Sequence, residues 1–154
     1  MQQPMAVDLR FIVAVIKIKS DLERVGDQAV NIAERYLEMA ALPAVTLPVD
    51  LPRMAGLAST MIRQALEAFI HADPDRARQV CAMDDDVDRM NRDAQRDLSD
   101  VIRKAPFIAG QCIDALIIAR NLERIADHAT NIAEDGIFWT SGADVRHNYG
   151  SAAG

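Results

Sequence analysis

Apolar residues recur at three- and four-residue spacing through four segments of the chain, and proline-containing stretches separate these segments. This periodicity is typical of amphipathic helices. It predicts helices over about 7–39, 51–72, 74–104 and 107–139. Asp50 and Asp73 stand just before the second and third segments, and each is followed by a proline within two positions. That combination is the usual signature of a helix start.

Long helices joined by short connections pack as antiparallel neighbours. The sequence therefore predicts an all-α fold, with one long N-terminal helix within 1–42 and a linker at 43–50. A complete three-helix bundle follows at 51–140, and the polar, glycine- and alanine-rich residues 141–154 predict a loosely held tail. Only 5% of the residues are aromatic, which disfavours a β-sandwich or β-barrel.

An internal repeat relates the first and fourth segments. Residues 21–34 read DLERVGDQAVNIAE and residues 121–134 read NLERIADHATNIAE, so nine of fourteen positions are identical at an offset of 100 residues. A repeat of this length indicates two copies of one supersecondary unit. The chain is then interpreted as the last helix of one unit, at 1–42, followed by a complete second unit.

Charge and apolar content narrow the possible partners. The formal net charge of the 154 residues is −6 and the basic residues are scattered, which argues against nucleic acid or an anionic lipid surface as the partner. The longest N-terminal apolar run, 11–16, is far shorter than the roughly 20 residues that span a bilayer, so direct membrane insertion is not expected. Two cysteines and no recognisable secretion signal favour a reduced, cytoplasmic location.

Acidic residues form a stripe on the fourth segment. Glu123 and Asp127 stand at i and i+4, and Asn131 and Glu134 continue the same face. On the third segment Asp84 and Asp88 lie on the apolar, inward side. Four carboxylates from two antiparallel helices are therefore expected to converge, and such oxygen ligands suit hard or borderline cations. The alternative interpretation is a solvated acidic helix face.

These acidic pairs resemble the paired motifs of the PhoU family, the accessory and regulatory proteins of bacterial phosphate-specific transport. The similar stretches are Glu123-x-x-x-Asp127, Asp84-x-x-x-Asp88, LERIAD at 122–127 and LERVGD at 22–27. The similarity extends to PMAVDLR at 4–10 and DVRH at 144–147, and so covers nearly the whole chain.

Resemblance to this family implies a cytoplasmic, non-enzymatic protein built from two similar three-helix bundles and usually present as a homodimer. It implies repression of the phosphate-starvation response, by communication between the ATPase subunit of the phosphate ABC transporter and a sensor histidine kinase. It also implies metal ions at the acidic motifs, iron first, with manganese, magnesium, zinc or calcium as alternatives. The metal residues of the complete bundle are then Asp84, Asp88, Glu123 and Asp127. Glu23 and Asp27 are half of a second site, whose remaining helices this sequence does not contain.

Two other functions stay open at this stage. One is a metal-independent helical scaffold whose acidic stripe docks a partner, and the other is a carboxylate-bridged metalloenzyme. His128 projects about 100° away from Asp127 on the helix, so it is not expected to be a ligand. Cys81 and Cys112 are expected to be small core residues.

The first helix is apolar over most of its circumference between residues 9 and 18. A three-helix bundle covers only one side of such a helix, and a contiguous apolar surface marks an association site. We therefore expect two-fold self-association in which the first helices cover one another.

Overall fold

The computed structural model describes residues 3–150, with side chains described over 5–141. Four helices account for most of these residues: α1 (Gln3–Ala40), α2 (Leu51–Ile70), α3 (Pro74–Lys104) and α4 (Ala109–Gly150). A short 3-10 turn, Pro106–Ile108, leads into α4, and none of the described residues forms a strand. The all-α prediction is confirmed.

The starts of α2 and α3 follow the sequence signals. The Asp50 side chain accepts a hydrogen bond from the backbone N–H of Arg53, and the Asp73 side chain accepts one from that of Arg76, both at 3.0 Å. Helix α2 ends at Ile70, two residues before the predicted end, because Ala72 takes a left-handed conformation with φ of 51°. The chain reverses there, and the N–H of Asp73 donates to the carbonyl of Ala68 at 2.8 Å.

Helix α4 continues to Gly150, beyond its predicted end at about residue 139. Residues 140–150 contain no proline, and a single glycine inside a helix costs only about 1 kcal/mol, so no local signal stops the helix. Residues 151–154, and the side chains at position 4 and at 144–147 that carried part of the family resemblance, lie outside the described set.

Helix α4 is the central element, since it packs against α1, α2 and α3. Helices α2 and α3 also pack against each other, which completes the three-helix bundle. The largest fully buried side chains of its core come from all three helices: Met54, Met61, Val80, Val87, Leu98, Cys112 and Ile132.

Helix α1 packs on α4 alone along its length, through a face that includes Ala14 and Ile18. At one end the rings of Phe11, Phe69 and Trp139 stack and tilt against one another at centroid distances of 5.5–5.8 Å, which joins α1 to α2 and α4. The opposite side of α1 is uncovered, and Leu9 and Ile16 there are 61% and 62% exposed. None of the described helices combines the length and the apolar character that crossing a membrane requires.

Candidate functional site

The structure brings together the four carboxylates that the sequence singled out on α3 and α4. Asp84 and Asp88 lie on the side of α3 that faces α4, where Glu123 and Asp127 lie one turn apart. Burial raises the pKa of Asp84 to about 6, and repulsion from Asp88, Asp127 and, more weakly, Glu123 contributes in the same direction. The pKa values of Glu123 and Asp127 are raised as well, first by burial and then by neighbouring carboxylates.

Two oxygens at this interface have no hydrogen-bond partner within the described part of the chain. They are Oδ1 of Asp84 and Oδ1 of Asn91, two turns apart on the same face of α3, and both atoms are buried. A buried acceptor without a partner costs about 1–3 kcal/mol.

We call the surface formed by Asp84, Asp88, Glu123 and Asp127 the acidic face. Its negative charge is only partly compensated, by Arg92 at 3.9 Å from Asp88 and by Arg124 near Glu123 and Asp127. The remaining charge and the unused acceptor are what a cation relieves.

The side chains do not form a closed ligand set as they stand. In the described residues, no group of three or more His, Cys, Asp and Glu side chains is positioned to hold a metal ion. The donor chemistry fits a hard cation, because four carboxylates lie near enough to repel one another and one of their oxygens is unpartnered. Binding requires the carboxylates to rotate towards a common point.

The acidic pair on α1 lies in a different environment. Glu23 pairs with Lys19 at 2.9 Å, and both Glu23 and Asp27 are exposed on the side of α1 that faces away from α4. No described helix packs against that side. The structure therefore does not join Glu23 and Asp27 to a second acidic pair.

A polar layer between α1 and α4 was missed by sequence analysis. Oδ1 of Asp21 lies 2.8 Å from Nδ1 of His128, and Nδ2 of Asn131 donates to the same oxygen at 3.4 Å. His128 thus faces α1 and not the acidic face, in agreement with its expected projection away from Asp127. The available signal was the repeat itself, since positions 21 and 128 both lie within the duplicated segment, on the face that α1 and α4 share.

The burial of the two cysteines agrees with the expectation that they are small core residues. Cys112 is buried and Cys81 is partly buried. Burial raises the pKa of both thiols, and at Cys81 the nearby Glu134 and Asp84 raise it further. The thiol of Cys81 is therefore held in its neutral form beside the acidic face.

An apolar cleft of about 540 Å³ lies away from the acidic face, between the linker and the ends of α1, α2 and α4. Two polar side chains, Tyr36 and Gln111, are among its lining residues, and Gln111 donates from Nε2 to the carbonyl of Pro43 at 3.3 Å. The rest of the lining is apolar, so the cleft offers few groups to orient a ligand, and the acidic face remains the better candidate site.

Comparison with known proteins identifies relatives in sequence and in structure. A family model described as the PhoU domain matches residues 1–36 and 51–136, that is, most of α1 and the α2–α4 bundle. A curated relative from Caulobacter vibrioides, named phosphate-specific transport system accessory protein PhoU homolog, is 40% identical over 146 residues. A relative of the same name from Deinococcus radiodurans is 34% identical over 143 residues.

The matches cover this chain almost completely and the relatives only in part. The alignment with the Caulobacter protein spans 94% of this chain and 64% of that protein. A crystal structure of PhoU from Pseudomonas aeruginosa superposes with a TM-score of 0.86 at 34% identity, over 92% of this chain and 68% of the other. Family model, sequence identity and fold agree, and the chain belongs to the PhoU family.

Proposed function

We propose that this chain is a cytoplasmic, non-enzymatic regulator of phosphate uptake and phosphate homeostasis. Its relatives are named accessory proteins of the phosphate-specific transport system, and the match to the PhoU domain on both repeats supports the same role here. The chain spans 64% of the length of the Caulobacter relative. The experiments that test this role therefore use this chain and not a full-length relative.

In this role the chain acts as a negative regulator, between the ATPase subunit of the phosphate ABC transporter and the phosphate-sensing histidine kinase. Deleting its gene should raise the expression of phosphate-starvation genes in phosphate-rich medium, and restoring the 154-residue chain should lower it again. Unchanged expression in the deletion strain would contradict the proposed regulation. A response that the chain fails to restore would show that these residues do not carry it.

The proposal includes a metal site at the acidic face. Asp84, Asp88, Glu123 and Asp127 would hold the ion, with iron as the first candidate. A bound cation would offset the negative charge that the neighbouring arginines leave uncompensated, and it would link α3 to α4. The single observation that carries this proposal is the buried, unpartnered Oδ1 of Asp84 among three neighbouring carboxylates.

Elemental analysis of protein purified without chelator tests the metal site. The variant Asp88→Asn/Asp127→Asn should lose most of the bound metal, because it removes one ligand from each helix. The matched control is Asp85→Asn/Asp86→Asn, which makes the same charge change at exposed positions of α3 and should keep the metal. Equal metal content in wild type and the first variant would remove the site.

The same analysis separates the alternatives. A metal-independent docking scaffold predicts no stoichiometric metal in the wild type. A carboxylate-bridged metalloenzyme predicts a metal-dependent turnover.

We also propose that the chain forms a homodimer through the uncovered side of α1. Ile12, Ile16 and Val30 are exposed there together with Leu9 and Leu37. Light scattering at micromolar concentration should give twice the mass of 16.9 kDa. Ile16→Glu should lower that mass to the monomer value, whereas Gln95→Glu, which adds the same charge at an exposed position of α3 away from α1, is the matched control. A folded monomer in the wild type would refute the interface.

A further inference from the structure

Helices α1 and α4 carry the repeated segment and run antiparallel, because Lys17, Asp21 and Arg35 contact α4 at progressively earlier positions. Two clefts open along their shared interface. Every residue that lines one cleft is the repeat equivalent, 100 positions away, of a residue that lines the other. The two clefts are therefore related by an approximate two-fold axis. Substitutions in one cleft can be compared with substitutions at the equivalent positions of the other.

The two clefts differ in charge although their backbone frame is shared. One, of about 340 Å³, is lined by two basic side chains and three carboxylates, and we call it the acidic cleft: Lys17, Arg24, Asp21, Glu134 and Asp135. The other, of about 360 Å³, is lined by three arginines and one carboxylate, and we call it the arginine cleft: Arg35, Arg120, Arg124 and Glu34. The charge is reversed at one pair of equivalent positions, Asp135 and Arg35, and at the other pairs that differ a charged residue stands opposite an uncharged one.

The arginines are available to a ligand. Arg120 and Arg124 are exposed one turn apart on α4, and no carboxylate of the described residues lies within ion-pair distance of either. Arg35 is partly engaged, at 2.6 Å from Glu38 and 3.7 Å from Asp114. Two like charges at i and i+4 repel each other, and an anion placed between them removes that repulsion.

We propose that the arginine cleft binds a phosphate-type oxyanion. Guanidinium groups match the oxygens of phosphate in a two-point geometry, and several together favour a dianion over a single carboxylate. A cleft of about 360 Å³ suits a small molecule. The ligand is either free inorganic phosphate or the phosphate group of a phosphomonoester. The arginine cleft lies between α1 and α4, whereas the proposed metal site lies between α3 and α4. Arg120 and Arg124 are still close enough to Glu123 to oppose the rise in its pKa.

The test measures binding of inorganic phosphate and of AMP, as a simple phosphomonoester, to the full chain by calorimetry. EDTA is present throughout, so that binding through a metal ion is excluded. Arg120→Gln/Arg124→Gln should raise the Kd about tenfold or more, since hydrogen bonds to charged groups are each worth at least about 1.5 kcal/mol. Lys17→Gln/Arg24→Gln removes the same charge from the acidic cleft and should leave the Kd within about twofold of wild type.

The outcomes are distinct. Binding of phosphate alone, or tighter binding of AMP, supports the proposal and identifies the source of the anion. Absence of binding of both ligands at about 10 mM, a concentration that detects even millimolar affinity, overturns it. Equal loss in the two variants also overturns it, because the anion then does not reside in the arginine cleft. Thermal melts of all variants confirm that each remains folded.

Discussion

Replacing Asp84 by Asn should stabilise the metal-free protein at neutral pH. Asp84 is a partly buried carboxylate beside Asp88, Asp127 and Glu123, and its Oδ1 has no partner in the described structure. The ionised form is therefore disfavoured in the fold and unpenalised in the unfolded chain. Asparagine keeps the shape of the side chain and removes the charge.

The magnitude follows from the pKa. A rise from 3.8 to about 6 in the folded state corresponds to about 3 kcal/mol of destabilisation at pH well above 6. Because the side chain is only partly buried, solvent screening reduces this to about 1–2 kcal/mol. For a protein of this size the melting temperature should rise by about 2–8 °C.

The sign of the pH dependence is fixed by the direction of the shift. A carboxyl group whose pKa is higher in the folded than in the unfolded state destabilises the folded protein at pH values above that pKa. The destabilisation disappears at low pH, where the group is protonated in both states. The advantage of Asp84→Asn should therefore be full at pH 7.5, shrink as pH falls through about 6, and be small near pH 4.

Urea denaturation in EDTA at pH 7.5, 6 and 4 measures this difference. Asp85→Asn, a neighbouring change at a solvent-facing position, is the control and should have a smaller effect. The reasoning would be refuted if the Asp84→Asn variant were less stable than wild type at pH 7.5. It would also be refuted if the difference in free energy of unfolding between variant and wild type were the same at all three pH values. Added metal should reverse the order, since wild type then gains a ligand that the variant lacks.

Three further changes test the packing. Met61→Ala empties a site that is 0% exposed and should cost about 2–5 kcal/mol in urea denaturation. Asp73→Ala removes the N-cap of α3 and should cost about 1 kcal/mol, which thermal melting detects. Asp21→Ala leaves His128 and Asn131 without their shared acceptor and should cost about 1–3 kcal/mol, whereas Lys19→Ala at an exposed pair should change stability by less than about 1 kcal/mol.

Local signals explain why the hairpin of α2 and α3 was predictable. Asp73 and Pro74 mark the start of α3, and Pro106 follows its end, so its bounds could be read from the sequence. The inward position of Asp84 and Asp88 followed from helical periodicity, and their approach to Glu123 followed from antiparallel packing. The C-terminal part of α4 gave no comparable signal, and the helix runs past its predicted end at about residue 139.

The face that α1 turns towards α4 could not be predicted in the same way. Asp21 is buried at that interface while Ile12 and Ile16 are exposed, which inverts the usual rule for apolar residues. The choice depends on partners more than 100 positions away, such as His128. The arginine cleft was hidden for the same reason, because it exists only in the register between α1 and α4.

Helix α1 is attached mainly to α4, and this has a consequence for the order in which the molecule folds and opens. Contacts within the α2–α4 bundle close shorter loops than the contact of Asp21 with His128, which spans 107 residues. Contacts of long sequence separation form late, because the chain entropy of closing the loop must be overcome first. Helix α1 therefore docks onto a preformed bundle, and it detaches as a unit at a lower free energy than global unfolding. In native-state hydrogen exchange its amides should exchange as one cooperative group, ahead of the amides of α4 that face α2 and α3.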